Sequence, residues 1–264
     1  MIFFPPFLGG TLFSSNSARL AAFPFLAFCA ASSSTYIVND IYDREKDALH
    51  PDKKIRPIAS GRISLRNAII LSVILFILGL YSACNVSLLF ASLLILYVAI
   101  SIAYSHYFKQ IALVDIFFIS FGFLLRLQAG GVAFDIPISE WLFLSVFLLS
   151  VFLSSGKRLS EIMRLGGAAH NHRKALTSYP RGFLEGSMYM TGGTVLVTYA
   201  MYVISRHSPV LLYSVPLCCF GLMRYILRVQ AGMGGDPTES LLRDIPLLLV
   251  GLTWSLIVGW GIYG

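Results

Sequence analysis

The chain has 264 residues, of which 56% are hydrophobic and only 12% are charged. Soluble domains carry roughly 25% charged residues, so this composition excludes a water-soluble globular protein and a disordered one. The apolar residues exceed what one core could bury, and most of the surface must therefore contact lipid. The four cysteines lie in or beside apolar runs and predict neither a disulfide framework nor a metal site.

Apolar runs predict a bundle of membrane-spanning helices. A hydrocarbon core of about 30 Å requires about 20 apolar residues in a helix, which gives this chain room for roughly eight to nine crossings. The fold class expected is therefore all-α, a polytopic membrane helix bundle in a single domain over residues 1–264. Residues 2–13 are apolar but too short to cross, and are interpreted as half of a first helix. The predicted spans are 18–38, 66–84, 86–104, 112–132, 138–155, 187–205, 209–227 and 245–263.

Lysine and arginine are concentrated in alternate connections between these spans. Two long predicted loops, 39–65 and 156–186, are rich in basic residues, whereas the opposite connections hold only Arg19 and Arg206. The positive-inside rule makes the basic side cytoplasmic and the protein a multi-pass protein of the cell membrane. The same asymmetry accounts for the net charge of +7, so no nucleic-acid partner is predicted. Carboxylates share these loops, which favours a central polar cavity open to the cytoplasmic face, although loops are also where charges ordinarily lie.

An acidic segment closes the first predicted span, with the sequence Asn-Asp-Ile-Tyr-Asp-Arg-Glu-Lys-Asp at 39–47. At about 100° per residue, Asp40, Asp43 and Asp47 fall on one helical face and Glu45 points away. Three carboxylates on one face repel each other unless a cation lies among them, and carboxylate oxygens with phosphate are ligands that Mg²⁺ prefers. The segment is predicted to bind Mg²⁺ and a diphosphate. The alternative is a solvated helix end whose own basic residues pair with the acids.

A basic loop follows the acidic segment directly. Lys53, Lys54 and Arg56 are predicted to contact phosphate oxygens beside the metal, since ammonium and guanidinium groups are strong phosphate donors. Positive-inside topology alone explains their charge but not their position next to the acids. Tyr104 and Lys109, at the end of a later span, are predicted to complete the cytoplasmic rim of the site.

A second basic group stands at the end of the predicted span 138–155. Lys157 and Arg158 follow a glycine there, and Glu161 lies on the same helical face as Lys157. These residues are a second candidate for phosphate binding, with a surface ion pair as the alternative. Within the spans, Arg126 either lines the polar cavity or pairs with an acid on a neighbouring helix, because an intramembrane arginine is costly. Asp115 lies too far along the same helix to be that acid.

These motifs resemble the UbiA-type intramembrane prenyltransferase superfamily, and the resemblance extends over nearly the whole chain. Other members carry a second aspartate-rich motif where this chain has Gly156-Lys157-Arg158. In this difference the chain resembles the branch of the superfamily that transfers phosphoribosyl groups to decaprenyl-type phosphates. The residues that carry the resemblance are Asn39-Asp40 to Asp47, Arg56-Pro57-Ile58-Ala59, Tyr104, Lys109, Asp115, Leu125-Arg126, Gly156-Lys157-Arg158 with Glu161, Gly235-Asp236-Pro237 and Arg243-Asp244.

The resemblance implies transfer of 5-phosphoribosyl from phosphoribosyl pyrophosphate to a polyprenyl phosphate, with release of diphosphate, dependence on Mg²⁺ and a place in cell-wall biosynthesis. It also implies a complete first helix in relatives and a homo-oligomer, a trimer by resemblance. By this resemblance, the catalytic metal ligands are Asp40, Asp43 and Asp47. The substrate-binding residues become Asn39, Lys53, Arg56, Tyr104, Lys109, Arg126, Lys157, Arg158 and Glu161.

Two other functions are compatible with parts of the sequence. An aromatic prenyltransferase that uses a prenyl diphosphate needs the same first motif, but it would require a second acidic motif where Lys157 and Arg158 stand. A lipid or solute transporter is equally compatible with the composition. A carrier usually places its charged site near the bilayer midplane, so the aspartates at one face count against it and Arg126 counts for it.

Overall fold

The structure is a computed structural model that describes residues 1–14, 21–49, 53–165 and 174–264. These residues form helices, turns and no strands, which confirms the all-α class. A short 3₁₀ helix, Phe108–Gln110, precedes α5. The α-helices are α1 (Phe4–Leu8), α2 (Ala22–Ala48), α3 (Leu65–Cys84), α4 (Leu88–His106), α5 (Val114–Phe134), α6 (Glu140–Leu165), α7 (Lys174–Thr177), α8 (Phe183–Ser205), α9 (Pro209–Leu212), α10 (Ser214–Gln230), α11 (Pro237–Arg243) and α12 (Ile245–Tyr263).

Six helical segments of the described chain are long and apolar enough to cross a membrane. They are α3, α4, α5, α6, α12 and the joined pair α9 and α10. Helices α2 and α8 coincide with the predicted spans 18–38 and 187–205 but carry more polar residues, and they are not among the six. Residues 18–20 lie outside the described part. The chain is thus a multi-pass membrane protein, while the predicted count of eight to nine crossings and the cytoplasmic cavity stay predictions.

The helices form where the sequence offers long apolar runs, because a backbone in lipid must satisfy its own hydrogen bonds. The first turns of α3 and α4 are capped by serine side chains. Ser64 accepts a hydrogen bond from the backbone N–H of Asn67, and Ser87 accepts one from the N–H of Phe90. Such caps satisfy donors that a helix start leaves without partners.

Two helices extend well beyond their predicted ends. Helix α2 continues to Ala48 and α6 continues to Leu165, so the predicted loops 39–65 and 156–186 both begin as helix. Hydrophobicity marks only the part of a helix that lies in lipid. The helix continues past that part because its charged residues favour helical conformation and form pairs such as Arg158 with Glu161, three positions apart.

The chain divides into two compact units. The first comprises Met1–Pro6, Leu12–Lys109 and Leu125–Pro137, and the second comprises Phe7–Thr11, Gln110–Leu124 and Ile138–Gly264. Helix α5 contributes its beginning to the second unit and its end to the first. The prediction of one domain over residues 1–264 stays a prediction.

In the first unit, α2 packs against α3 and α4 around Phe28, Phe90 and Leu94, which are fully or almost fully buried. Small residues allow α2 and α3 to approach closely, as is typical of helix packing in membranes. A Cβ atom added at Gly79 of α3 would lie 3.1 Å from the carbonyl oxygen of Ala27 on α2. Gly79 is therefore a close contact, where even a methyl group would require its neighbours to move by a few tenths of an ångström.

In the second unit, α6 packs against α8, and α10 packs against α12. Phe152, Met188 and Val229 lie at the centre of its core. Asp244 caps α12 by accepting from the backbone N–H of Leu247. The same buried carboxylate accepts from Arg224 at 2.9 Å and from Arg228 at 2.8 Å, which joins the beginning of α12 to α10.

The close approach at Gly79 predicts that Gly79→Leu lowers the free energy of unfolding by about 1–3 kcal/mol, because an inserted side chain must separate α2 from α3. Gly193→Ala on α8 is the matched control, since no atom lies within 4 Å of its added Cβ. This change should alter stability by no more than about 1 kcal/mol. Thermal unfolding of both purified variants in detergent tests the difference, and equal unfolding temperatures would contradict it.

Candidate active site

The acidic segment of α2 is helical and presents its aspartates to basic side chains from later in the chain. Arg56 Nη1 lies 2.8 Å from Asp40 Oδ1 and 2.8 Å from Asp47 Oδ2. Asp47 is buried, whereas Glu45 is exposed, as the helical wheel predicts. A single guanidinium nitrogen therefore holds two carboxylates together.

The local alternative, pairing with basic residues of the same helix end, does not match these contacts. Arg44 and Lys46 are exposed, and the cations that contact the aspartates come from the following loop and from the 3₁₀ helix. Burial raises the pKa of the Asp40 carboxyl, and Arg56 beside it opposes that rise. Lys53, exposed at the start of the loop, also favours the ionised form of Asp40 electrostatically.

Lys109 is the second cation of this cluster. Its side chain is only 6% exposed, and its Nζ lies 2.6 Å from Asp43 Oδ1. The same nitrogen donates to Asn39 Oδ1 at 3.3 Å. A buried ammonium group requires hydrogen-bonding partners, and Asp43 and Asn39 supply them to Lys109. The structure thus brings together six of the predicted site residues: Asn39, Asp40, Asp43, Asp47, Arg56 and Lys109.

A second ion-pair cluster lies in the other compact unit, around Arg158 of α6. Arg158 is buried, and its Nε lies 2.6 Å from Asp115 Oδ2. Its Nη1 donates to Glu161 Oε2 at 2.6 Å. Asp115 is completely buried and also accepts a hydrogen bond of 2.7 Å from the Tyr179 hydroxyl. Arg158 is therefore fixed by two carboxylates on its own unit.

Tyr179 is a member of this cluster that the sequence does not reveal. Its hydroxyl accepts from the backbone N–H of Leu113 at 2.8 Å while it donates to Asp115. Burial and the neighbouring Asp115 carboxylate raise the pKa of the Tyr179 hydroxyl, so it stays protonated and can donate. A tyrosine between a serine and a proline in a predicted loop carries no pattern that would have singled it out.

Lys157 differs from its neighbour because its side chain is 43% exposed. Its Nζ lies 3.0 Å from Asp236 Oδ2, in the segment before α11. Burial acts to raise the pKa of Asp236, but the hydrogen bond and charge of Lys157, together with the backbone N–H groups of Thr238 and Glu239, lower the pKa overall. Lys157 is thus an exposed cation whose present partner is a partly exposed carboxylate.

Close backbone packing fixes Asp236 against α6. A Cβ at Gly235 would lie 2.5 Å from the carbonyl oxygen of Gly156, so only glycine fits there. The Tyr225 hydroxyl donates to the carbonyl oxygen of Gly235 at 2.6 Å and strengthens this contact. The two glycine-containing motifs, at 156–158 and 235–237, are therefore parts of one packed arrangement.

Arg126 lies on α5 within the first unit. Its guanidinium donates to the Tyr97 hydroxyl and, at 3.3 Å, to Ser32 Oγ, and its Cζ lies 4.7 Å from the centroid of the Tyr97 ring. Hydroxyl groups and an aromatic face thus stabilise this intramembrane arginine. Tyr104 is half-buried near the end of α4. A role for Arg126 or Tyr104 in substrate binding stays a prediction.

The sequence matches the UbiA prenyltransferase family over residues 3–250. The chain belongs to this family. It is 33% identical to the decaprenyl-phosphate phosphoribosyltransferase of Mycolicibacterium smegmatis over 261 residues, which cover 94% of the chain and 82% of the relative. It is also 33% identical to the protein of the same name from Corynebacterium glutamicum, with 96% of the chain and 78% of the relative covered. The family and these relatives make the protein a transferase.

Solved structures of the family share its fold. A UbiA homolog from Archaeoglobus fulgidus bound to GPP and Mg²⁺ superimposes with a TM-score of 0.76 at 19% identity, over 99% of this chain and 95% of the other. A UbiA homolog from Aeropyrum pernix K1 in its apo form gives a TM-score of 0.71 at 19% identity, over 99% and 96%.

The acidic segment of this UbiA family member suits a magnesium ion by its donors. Asn39 and the three aspartates offer only hard oxygen ligands, and Asp40 and Asp47 already converge on one cationic nitrogen. Across the four described ranges, no three His, Cys, Asp or Glu side chains form a ready-made metal site. Mg²⁺ does not require one, because it is usually held by one or two carboxylates, substrate phosphates and water.

Neighbouring positions on α6 should respond differently to neutralisation. Arg158→Gln leaves the buried Asp115 without its guanidinium partner and is expected to lower the free energy of unfolding by about 3–5 kcal/mol. Lys157→Gln breaks an exposed ion pair and should cost at most about 1 kcal/mol.

Thermal unfolding of the two purified variants, followed by circular dichroism in one detergent, measures the difference. The same unfolding temperature for both would show that Arg158 is not the structural member of the pair.

Proposed function

We propose that this UbiA family member transfers the 5-phosphoribosyl group of phosphoribosyl pyrophosphate to a polyprenyl phosphate and releases diphosphate. The near full-length similarity to decaprenyl-phosphate phosphoribosyltransferases supports this function. The structural observation that carries it is the end of α6, where Lys157 and Arg158 supply cations and a metal-binding acidic motif is not formed. A cationic α6 suits a second phosphorylated group better than a second metal-bound diphosphate.

The acidic segment of α2 would hold Mg²⁺ through Asp40, Asp43 and Asp47. When bound, Mg²⁺ neutralises the charge that develops on the diphosphate leaving group. Arg56 and Lys109 lie among the same aspartates and are the cations best placed to contact diphosphate oxygens there. Lys53, exposed beside Asp40, adds a third positive charge.

Burial separates the roles of the two cations on α6. Lys157 keeps much of its side chain exposed, and its partner Asp236 is exposed to a similar extent, so a phosphate can replace that carboxylate. Arg158 is buried against Asp115, with Glu161 and Tyr179 around it. We assign phosphate contact to Lys157 and the positioning of this helix end to Arg158.

The chemistry requires no general base from the protein. The second pKa of a phosphoester is about 6, so the acceptor phosphate is largely a dianion near pH 7 and can attack directly. Its oxygen forms a bond to C1 of the ribose while the bond from C1 to diphosphate breaks. Attack opposite the leaving group inverts C1. The described residues supply charge and position, which are the main protein contributions to transfers of this kind.

The membrane arrangement follows from the same proposal. The acidic segment and the basic end of α6 would lie at the cytoplasmic face of the cell membrane, where a soluble donor is available and the basic loops belong. Assembly as a homo-oligomer, a trimer by resemblance, remains part of the proposal and can be measured by light scattering of the purified protein.

Neutralising the acidic segment should remove transfer. Asp40→Asn and Asp43→Asn are each expected to reduce the rate on the order of 10²–10³-fold, because the charge stabilisation that the metal provides is lost. The assay follows radiolabel from phosphoribosyl pyrophosphate into the lipid phase with purified protein, polyprenyl phosphate and Mg²⁺.

The matched control is Glu45→Gln, an exposed acid on the same helix, which should retain the wild-type rate. EDTA should stop wild-type transfer. Wild-type rates in both aspartate variants would refute the metal assignment. No label in the lipid phase from folded wild-type protein would refute the phosphoribosyl proposal, and label transfer from a prenyl diphosphate to an aromatic acceptor would replace it.

A further inference from the structure

Two basic nitrogens lie between the oxygen donors of the acidic segment. Arg56 Nη1 is 2.8 Å from both Asp40 Oδ1 and Asp47 Oδ2. Lys109 Nζ is 2.6 Å from Asp43 Oδ1 and 3.3 Å from Asn39 Oδ1. Each nitrogen thus occupies the position between two oxygen donors that a bound cation would take. A metal ion on either donor pair must therefore compete with the nitrogen that already contacts it.

We propose that Arg56 and Lys109 are exchangeable counter-ions of the acidic segment. They hold its carboxylates together before the metal binds, they oppose the binding of Mg²⁺ alone, and the displaced nitrogen then binds diphosphate oxygens. Metal and diphosphate consequently bind cooperatively. This inference rests on the proposed function, because it assumes that the segment binds Mg²⁺ and a diphosphate.

Electrostatics gives the direction of the effect. Mg²⁺ requires close, nearly octahedral oxygen contacts at about 2.0–2.1 Å, so a basic nitrogen on the same oxygens would lie near enough to the metal to be repelled by it. A displaced guanidinium or ammonium beside the metal is repelled unless an anion joins the site. Diphosphate supplies that anion, and linkage requires that it then strengthens metal binding by the same factor as the metal strengthens diphosphate binding.

The two counter-ions differ in how easily they can move. The Arg56 side chain is 37% exposed and belongs to the loop after α2, whereas the Lys109 side chain is 6% exposed and belongs to the 3₁₀ helix. Displacing Arg56 returns a charge to water. Displacing Lys109 leaves a buried ammonium that needs a new anion at once. Arg56 should therefore exchange more readily.

The experiment measures metal and diphosphate binding separately on the purified protein in detergent. Mn²⁺ serves as a stand-in for Mg²⁺ and is titrated alone, with free Mn²⁺ counted by electron paramagnetic resonance. Radiolabelled inorganic diphosphate is then titrated by equilibrium dialysis at saturating Mg²⁺. The variants are Arg56→Gln and Lys109→Gln, which remove one charge each. Arg62→Gln is the matched control, since Arg62 is an exposed cation of the same loop that contacts the carbonyl oxygen of Ile55.

Arg56→Gln is expected to bind Mn²⁺ alone about tenfold more tightly than wild type and diphosphate about tenfold more weakly, within the usual range of coupling between sites. Lys109→Gln should change both affinities in the same directions. The variant with the larger gain in metal affinity identifies the donor pair that the metal takes. Arg62→Gln should change neither affinity.

The inference is overturned if neither variant binds Mn²⁺ more tightly than wild type. Arg56 is half-exposed, so its variant is expected to fold, and either variant alone decides the direction of the effect. Failure of the proposed function gives a different result: Asp40→Asn and Asp43→Asn would then bind Mn²⁺ as wild type does, with and without diphosphate. If those two variants lose metal affinity while the basic variants show no gain, only the counter-ion inference fails.

Discussion

The pairing of ionised groups that are withdrawn from water is the constraint on which the described polar sites depend. Asp47, Asp115 and Asp244 are all buried, and each contacts at least one guanidinium. A buried carboxylate without a partner would take up a proton and lose its ability to bind a cation. Each compact unit satisfies this requirement within itself, and each arginine lies outside the helix that carries or begins at its aspartate. The aspartates and arginines of the candidate site therefore also stabilise the fold around them.

Much of the fold could be predicted from the sequence because lipid imposes a simple rule on the chain. A backbone in hydrocarbon must be helical, so apolar runs locate helices such as α3 and α12 within a few residues. The acidic face of α2 was also predictable, since helical periodicity alone places three aspartates together. The ends of α2 and α6 were not predictable, because the apolar run ends where the lipid ends while the helix continues beyond it.

The partners within the site could not be predicted, for a different reason. Arg56 reaches two aspartates of a preceding helix, and Lys109 reaches Asp43 from 66 residues away, so their pairing depends on tertiary packing. The sequence pattern predicted phosphate contact for Arg56 and a place on the cytoplasmic rim for Lys109, but it did not show that they contact the acids directly. The same applies to Tyr179, whose hydroxyl position follows from the fold of a loop and has no periodic signature.

The extension of α2 past its apolar part has a consequence for how two unlike substrates can meet. The ten residues from 39 to 48 continue the helix by about 15 Å at 1.5 Å per residue, which exceeds the roughly 5–8 Å of one headgroup layer. The aspartates thus lie beyond the apolar part of α2, on the same continuous helix. In the proposed function, a sugar phosphate from solution would reach the aspartates without entering the hydrocarbon, and a lipid phosphate would reach them without leaving its leaflet. If the helix ended with its apolar run, one of these two substrates would have to leave its own phase, water or membrane, to reach the aspartates.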